Sequence, residues 1–278
     1  MNHFKKTLIA AAAFLCLSTG VMAREPAILM VHYGTTVDDT RTKTIDALNA
    51  DVKAAFPRMT VEEAYTSPVV IRKLAERGIV KKSVTEALLQ LAAAGVKEVT
   101  VQPSTVLPGT EYDGMVRAVD YMKPFFKNVR IGSPLIASVA DCRNVCDILS
   151  RTYSAALAVK KGGMVFVGHG TPAPAGATYS QIDYMLTGAG HTNATVITVE
   201  GYPEAADGLA RMKEAKVRSV TITPIMLTAG GHMAHDIDGR IAELFRNAGI
   251  EVTTIARGLG EIPAIRAMYI DHIRQAMK

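Results

Sequence analysis

Met30-Val31-His32-Tyr33-Gly34-Thr35 and, 136 residues further on, Phe166-Val167-Gly168-His169-Gly170-Thr171 are the two stretches that decide the fold. Each is a short apolar run that stops at Gly-Thr, as a buried strand does when it ends in a tight turn. A second echo follows in the same order. Val99-Thr100-Val101-Gln102-Pro103 matches Val220-Thr221-Ile222-Thr223-Pro224, and a glycine comes after each in the same phase, Gly109 and Gly230. Two echoes in one order indicate a duplicated unit.

Outward from these stretches, strand-like runs alternate with amphipathic segments of helical length. The strands are expected at 27–31, 61–65, 98–102 and 129–136, then at 164–167, 195–199, 219–226 and 252–256. Helices are expected between them, among others at 40–55, 84–94, 140–159, 204–215 and 234–248. Such alternation means parallel sheets covered by helices on both faces. The expected fold is therefore α/β, with two similar Rossmann-like lobes, residues 24–138 and 139–278, and a cleft between them. The segment 140–159 is expected to cross between the lobes, and the second lobe to carry the metal site. Two doubly wound lobes present ligands at the carboxyl ends of their strands.

The first 23 residues are read apart from this pattern. Lys5-Lys6 precedes an apolar run from Leu8 to Leu17, and Val21-Met22-Ala23 follows. The run is shorter than the ~20 residues a membrane-spanning helix needs, so it reads as a signal peptide, with a periplasmic chain that starts near Arg24 and does not span the membrane. Its removal takes two lysines and no acids from a formal charge of +5, leaving +3. The chain has no long basic run and no Trp. That argues against nucleic acid as a partner and for a small polyanion. Neither a Gly-x-x-x-x-Gly-Lys loop nor a Gly-x-Gly-x-x-Gly turn is present, so no nucleotide is implied. Cys142 and Cys146 stand four apart, either as two small apolar residues on one helix face or as a strained local disulfide.

The chemistry is expected where the strands end. His169 lies between two glycines directly after a strand, where a sharp turn leaves the imidazole uncovered. His232, in Thr228-Ala229-Gly230-Gly231-His232-Met233-Ala234-His235-Asp236, follows another strand. Neutral imidazole is both a common metal ligand and a base near neutral pH. His235, one helical turn on, is either a ligand or a capping side chain. Glu200, in Val199-Glu200-Gly201-Tyr202-Pro203, also follows a strand, either to complete a His/Glu/His set suited to first-row divalent ions or to cap the next helix. By internal alignment Tyr33 takes the place of His169 and Glu111 that of His232, so one lobe is expected to bind metal and the other to grip an organic partner. His32 and Tyr33 alternate along a strand and face opposite sides, and a buried structural role is expected for one of them.

Taken together, Tyr33-Gly34-Thr35, Asp39-Thr40-Arg41-Thr42-Lys43-Thr44-Ile45, Gly109-Thr110-Glu111-Tyr112, Gly168-His169-Gly170-Thr171, Glu200-Gly201-Tyr202-Pro203 and Gly230-Gly231-His232 resemble the class II chelatases. The resemblance is closest to the anaerobic cobalt chelatases of the CbiK type and runs along nearly the whole mature chain. It implies insertion of Co²⁺ into sirohydrochlorin with release of two protons. The implied catalytic imidazole is His169, which with Glu200 and His232 would meet the metal, while Tyr33, Glu111 and Arg41 would meet the macrocycle and its carboxylates. A homo-oligomer is expected. This chain departs from the family's usual pattern at Gly231, where an acidic residue is common, and at His32-Tyr33, where Ser-Phe is usual. Two other functions share these features: iron insertion into sirohydrochlorin or a porphyrin, since the same ligands accept Fe²⁺ or Ni²⁺, and non-enzymatic carriage of a metal or tetrapyrrole in the periplasm.

Overall fold

The computed structural model describes residues 25–231 and 233–278. The signal peptide expected at residues 1–23 and the candidate ligand His232 lie outside the described residues. The first half runs β1 (Ala27–His32), α1 (Asp38–Arg41), a π-helical turn (Thr42–Asp46), α2 (Ala47–Ala55), β2 (Thr60–Tyr65), α3 (Pro68–Ala75), α4 (Val84–Ala93), β3 (Glu98–Pro103), α5 (Thr110–Met122) and β4 (Asn128–Ile131). The second runs α6 (Val139–Thr152), α7 (Ser154–Leu157), β5 (Gly162–Gly168), α8 (Ala177–Gly188), β6 (Ala194–Thr198), α9 (Ala205–Glu214), β7 (Ser219–Pro224), a π-helical segment (Met233–Ile241), α10 (Ala242–Asn247), β8 (Glu251–Thr254) and α11 (Pro263–Ala276).

Local chemistry explains where helices begin. Ser83 opens α4 with a capping box: its hydroxyl accepts from the Glu86 N–H at 3.3 Å, and its own N–H donates to the Glu86 carboxylate at 2.7 Å. Ser67 caps α3 by accepting from the Val70 N–H at 3.3 Å, with Pro68 in the first turn, where a missing N–H costs nothing. Ser138 caps α6 by accepting from the Asp141 N–H at 3.1 Å.

Both halves form a four-stranded, all-parallel sheet, in the orders β2-β1-β3-β4 and β6-β5-β7-β8. The central strands β1 and β5 are buried along their whole length, which is why they read as unbroken apolar runs rather than alternating ones. Alternation survives in what each face touches. Ala27, Leu29 and Val31 pack into one core with α4 and α5, while Ile28 and Met30 turn to a second core. In the other lobe Val165 and Val167 face α9 and α10, and Met164 and Phe166 face that same second core. The second core is therefore shared, lying between the sheets and holding α2, α6, α8 and α11.

The last element departs from chain order. After β8 the chain returns to the first lobe, where α11 packs on α2 and β3. Its buried stripe Ile265, Tyr269, His272 and Ile273 follows helical spacing, and Arg266 pairs with Asp51 of α2 at 2.6 Å. The fourth strand is also shorter than expected. Pairing with β3 stops once the Gly132 N–H has donated to Val101 at 2.8 Å, because the next rung needs an N–H from Pro103, which has none. The following residues line up instead beside the loop after β3, with Leu135 and Ile136 donating to Thr105 and Val106 at 3.0 and 2.9 Å. Cys142 and Cys146 are free, buried thiols on α6, and the hydrogen bond with the neighbouring Cys142 sulfur, together with burial, pushes the Cys146 thiol up. Among the described residues no helix is long and apolar enough to cross a membrane.

Candidate active site

Parallel strands point their carboxyl ends one way, and in each sheet the chain reverses its direction of travel between the first and third strands, opening a crevice beyond those ends. The two crevices merge into one cleft of about 880 Å³, near the upper end of the roughly 300–1,000 Å³ usual for small-molecule sites. His169, Glu200, His235 and Asp236 line it from the second lobe, and Tyr33 and Glu111 from the first.

Gly170 holds His169 and Glu200 side by side. Its φ is +94°, and a Cβ there would fall 1.5 Å from the Glu200 carbonyl oxygen. Only glycine lets the two chains run so close, and the Val199 and Glu200 N–H groups then donate to Gly168 and His169 at 2.9 and 3.0 Å. The pairing of β5 with β6 thus continues past the strand ends into the site. His169 is exposed, with Nδ1 3.2 Å from the Gly170 carbonyl. A carbonyl can only accept, so in the neutral ring Nδ1 carries the proton and Nε2 is the basic nitrogen. Glu200 is exposed as well, and the alternative role of capping α9 belongs to Glu204, whose N–H donates to Asp207 at 2.9 Å.

The lobes lock together around the cleft in a reciprocal way. Gly109 of the first lobe lies against Thr171, where a Cβ would come within 2.9 Å of the hydroxyl, and Gly230 of the second lies 3.3 Å from the hydroxyl of Thr35 by the same measure. Both threonines make the same small turn, accepting from the Val37 and Ala173 N–H groups at 3.2 Å each. The repeated Gly-Thr of the sequence is thus one lobe's knob for the other lobe's glycine.

Tyr33 is 52% exposed at the cleft, whereas its neighbour His32 is fully buried, as strand alternation requires. Arg41 is not among the cleft-lining residues. Its guanidinium meets Asp38 at 2.8 Å and Asp46 at 3.7 Å. Among the described residues no three His, Cys, Asp or Glu side chains are gathered as a metal cage, and His232 is not one of the described residues. Sequence reasoning passed over Ser104 and Thr105, which follow β3 directly and line the cleft. The signal that finds them is their position at a strand end beside the switch point.

Comparison with known proteins agrees with this geometry. Residues 26–278 match the family model for cobalt chelatase (CbiK). The chain is 37% identical to the sirohydrochlorin cobaltochelatase of Salmonella typhimurium over 256 residues, covering 90% of this chain and 96% of that protein. It is 26% identical over 246 residues to the sirohydrochlorin cobaltochelatase CbiKC of Nitratidesulfovibrio vulgaris, covering 84% of each. Among solved structures, SirB from Bacillus subtilis with Fe³⁺ superposes with a TM-score of 0.65 at 14% identity, over 91% of this chain and 95% of that one, a likeness of fold. With a family model spanning residues 26–278 and a relative matched nearly end to end, the chain belongs to the cobalt chelatase (CbiK) family.

Proposed function

We propose that this protein inserts Co²⁺ into sirohydrochlorin at the cleft between its lobes. The observation that carries the reading is the fixed adjacency of His169 and Glu200, one a proton acceptor and the other an oxygen ligand, at the mouth of a cavity large enough for a macrocycle. Insertion exchanges two pyrrolic protons for one divalent ion. Nε2 of His169 takes one of those protons, the usual work of a positioned general base, and the other passes to solvent water at the open cleft. Glu200 and His232, assigned from the family resemblance, hold the ion in an incomplete shell that leaves positions for the macrocycle nitrogens, which keeps the one lone pair of His169 free for the proton. Tyr33 and Glu111 face the macrocycle from the other wall. Residues 1–23 act as an export leader, so the protein works in the periplasm, and N-terminal sequencing of the protein from its host should begin near Arg24.

The test is an absorption assay of sirohydrochlorin with Co²⁺. Repeated turnover supports an enzyme, whereas a carrier gives one stoichiometric change and stops. His169→Ala should bind sirohydrochlorin as the wild type does, with turnover lower by a factor on the order of 10² or more. A variant that keeps most of its turnover would make His169 structural.

A further inference from the structure

Behind the first lobe's wall lies a chain of buried polar groups that metal insertion, as described above, leaves unused. Glu63, ion-paired with Lys81, accepts a hydrogen bond from the side-chain N–H of Asn49 at 2.9 Å. The amide therefore turns its oxygen to His32, 3.0 Å from Nε2. An amide oxygen only accepts, so Nε2 carries the imidazole proton and Nδ1 keeps a lone pair. That lone pair lies 2.8 Å from Ser104 Oγ, so the serine hydroxyl donates its single proton inward. Burial holds the His32 pKa down to about 4, which keeps the ring neutral and the chain of bonds in one setting. Ser104 itself is held on both sides: its N–H donates to Val31 at 2.8 Å, and its carbonyl accepts from the Tyr269 hydroxyl at 2.9 Å.

These groups do not form a proton wire. Asn49 stands between the imidazole and the carboxylate, and passing a proton through a carboxamide requires a high-energy imidic acid. The chain acts as a lock on direction instead. What Ser104 retains on its oxygen is lone pairs and no proton, on a residue that is 2% exposed and lines the cleft.

We infer that Ser104 is a substrate-selecting residue: its hydroxyl, turned inward by His32, Asn49 and Glu63, offers the cleft only an acceptor, and so favours a ligand that brings N–H donors over one that has none. The inference rests on the metal-insertion reading. The free macrocycle carries pyrrolic N–H groups and the metallated product has surrendered them, so this wall grips the substrate and loses its hold once the metal is in.

The experiment compares dissociation constants for free-base sirohydrochlorin and cobalt-sirohydrochlorin, by absorption titration, in the wild-type chain and Ser104 variants. Ser104→Ala should weaken the free base by about three- to tenfold, the worth of one net hydrogen bond, and leave the metallated form unchanged. KM should rise by the same factor with kcat retained. Ser104→Cys, close in volume but a poor acceptor, should show the same loss, and Ser104→Thr should restore the preference. A merely structural serine would shift both ligands together. An unchanged ratio of the two constants in a folded Ser104→Ala or Ser104→Cys protein that still turns over would overturn this inference alone. A wild type that binds neither macrocycle would overturn the chelatase reading with it.

Discussion

Acid should weaken this fold more steeply than its carboxylates alone would, and His32 is the reason. The ring is fully buried between Ser104 and Asn49. Burial, with the Lys81 charge nearby, outweighs the pull of Glu63 and the Asn49 hydrogen bond and brings the pKa from 6.5 to about 4. The unfolded chain takes up this proton near pH 6.5, the folded chain only near 4. Between those values the unfolded state binds more protons, so stability falls as the pH falls. The gap corresponds to about 3 kcal/mol, present in full above the upper value and lost below the lower one. That is a sizeable share of the roughly 5–15 kcal/mol that holds a typical domain. The assay is urea unfolding at a series of pH values between about 4 and 7, on the wild type and on His32→Gln, whose side chain does not titrate. Subtracting the two curves cancels the carboxylates and leaves the imidazole. Curves that run parallel across the window would refute the reasoning, because they would mean that His32 is as easily protonated in the fold as out of it.

Two further outcomes follow from the site. Glu200→Ala should weaken Co²⁺ binding about tenfold or more, measured by calorimetry, as the loss of a direct ligand should; unchanged affinity would move the metal away from this strand end. Gly170→Ala should destabilise the protein by at least about 2 kcal/mol in urea and reduce turnover as well, because the new methyl meets the Glu200 carbonyl on a backbone with positive φ. A stable, active Gly170→Ala protein would show that His169 and Glu200 need not lie so close.

Much of this architecture was legible because it is repeated. Gly34-Thr35 and Gly170-Thr171 mark equivalent strand ends, and the two sheets share one strand order. Apolar runs also announced that both faces of β1 and β5 are covered, yet periodicity does not say by what, so the return of α11 to the first sheet could not be read from them. The polar chain behind the cleft is hidden for a similar reason. His32 meets Asn49 seventeen residues away and Ser104 seventy-two away, and no local pattern joins them. Arg41 teaches the opposite lesson. Its charge suggests a carboxylate ligand, but Asp38 lies one turn before it and Asp46 shortly after, so suitable partners were already written beside it.

A protein built from two copies of one unit would ordinarily be divisible, each half a module that could be expressed, swapped or fused elsewhere. Here the end of the chain prevents that. A fragment stopping near residue 138 would keep its own four strands but lose Ile265, Tyr269 and Ile273, which cover Ile28, Met30, Leu48 and Val52. Its partner fragment would keep the packing of α11 on α6 but lose α2 and β3, which cover the rest of that helix. Either piece alone would put an apolar face in water and should aggregate, while the two produced together should find each other and rebuild the cleft. The duplication gave this protein two lobes, and the exchange of its last helix made them inseparable.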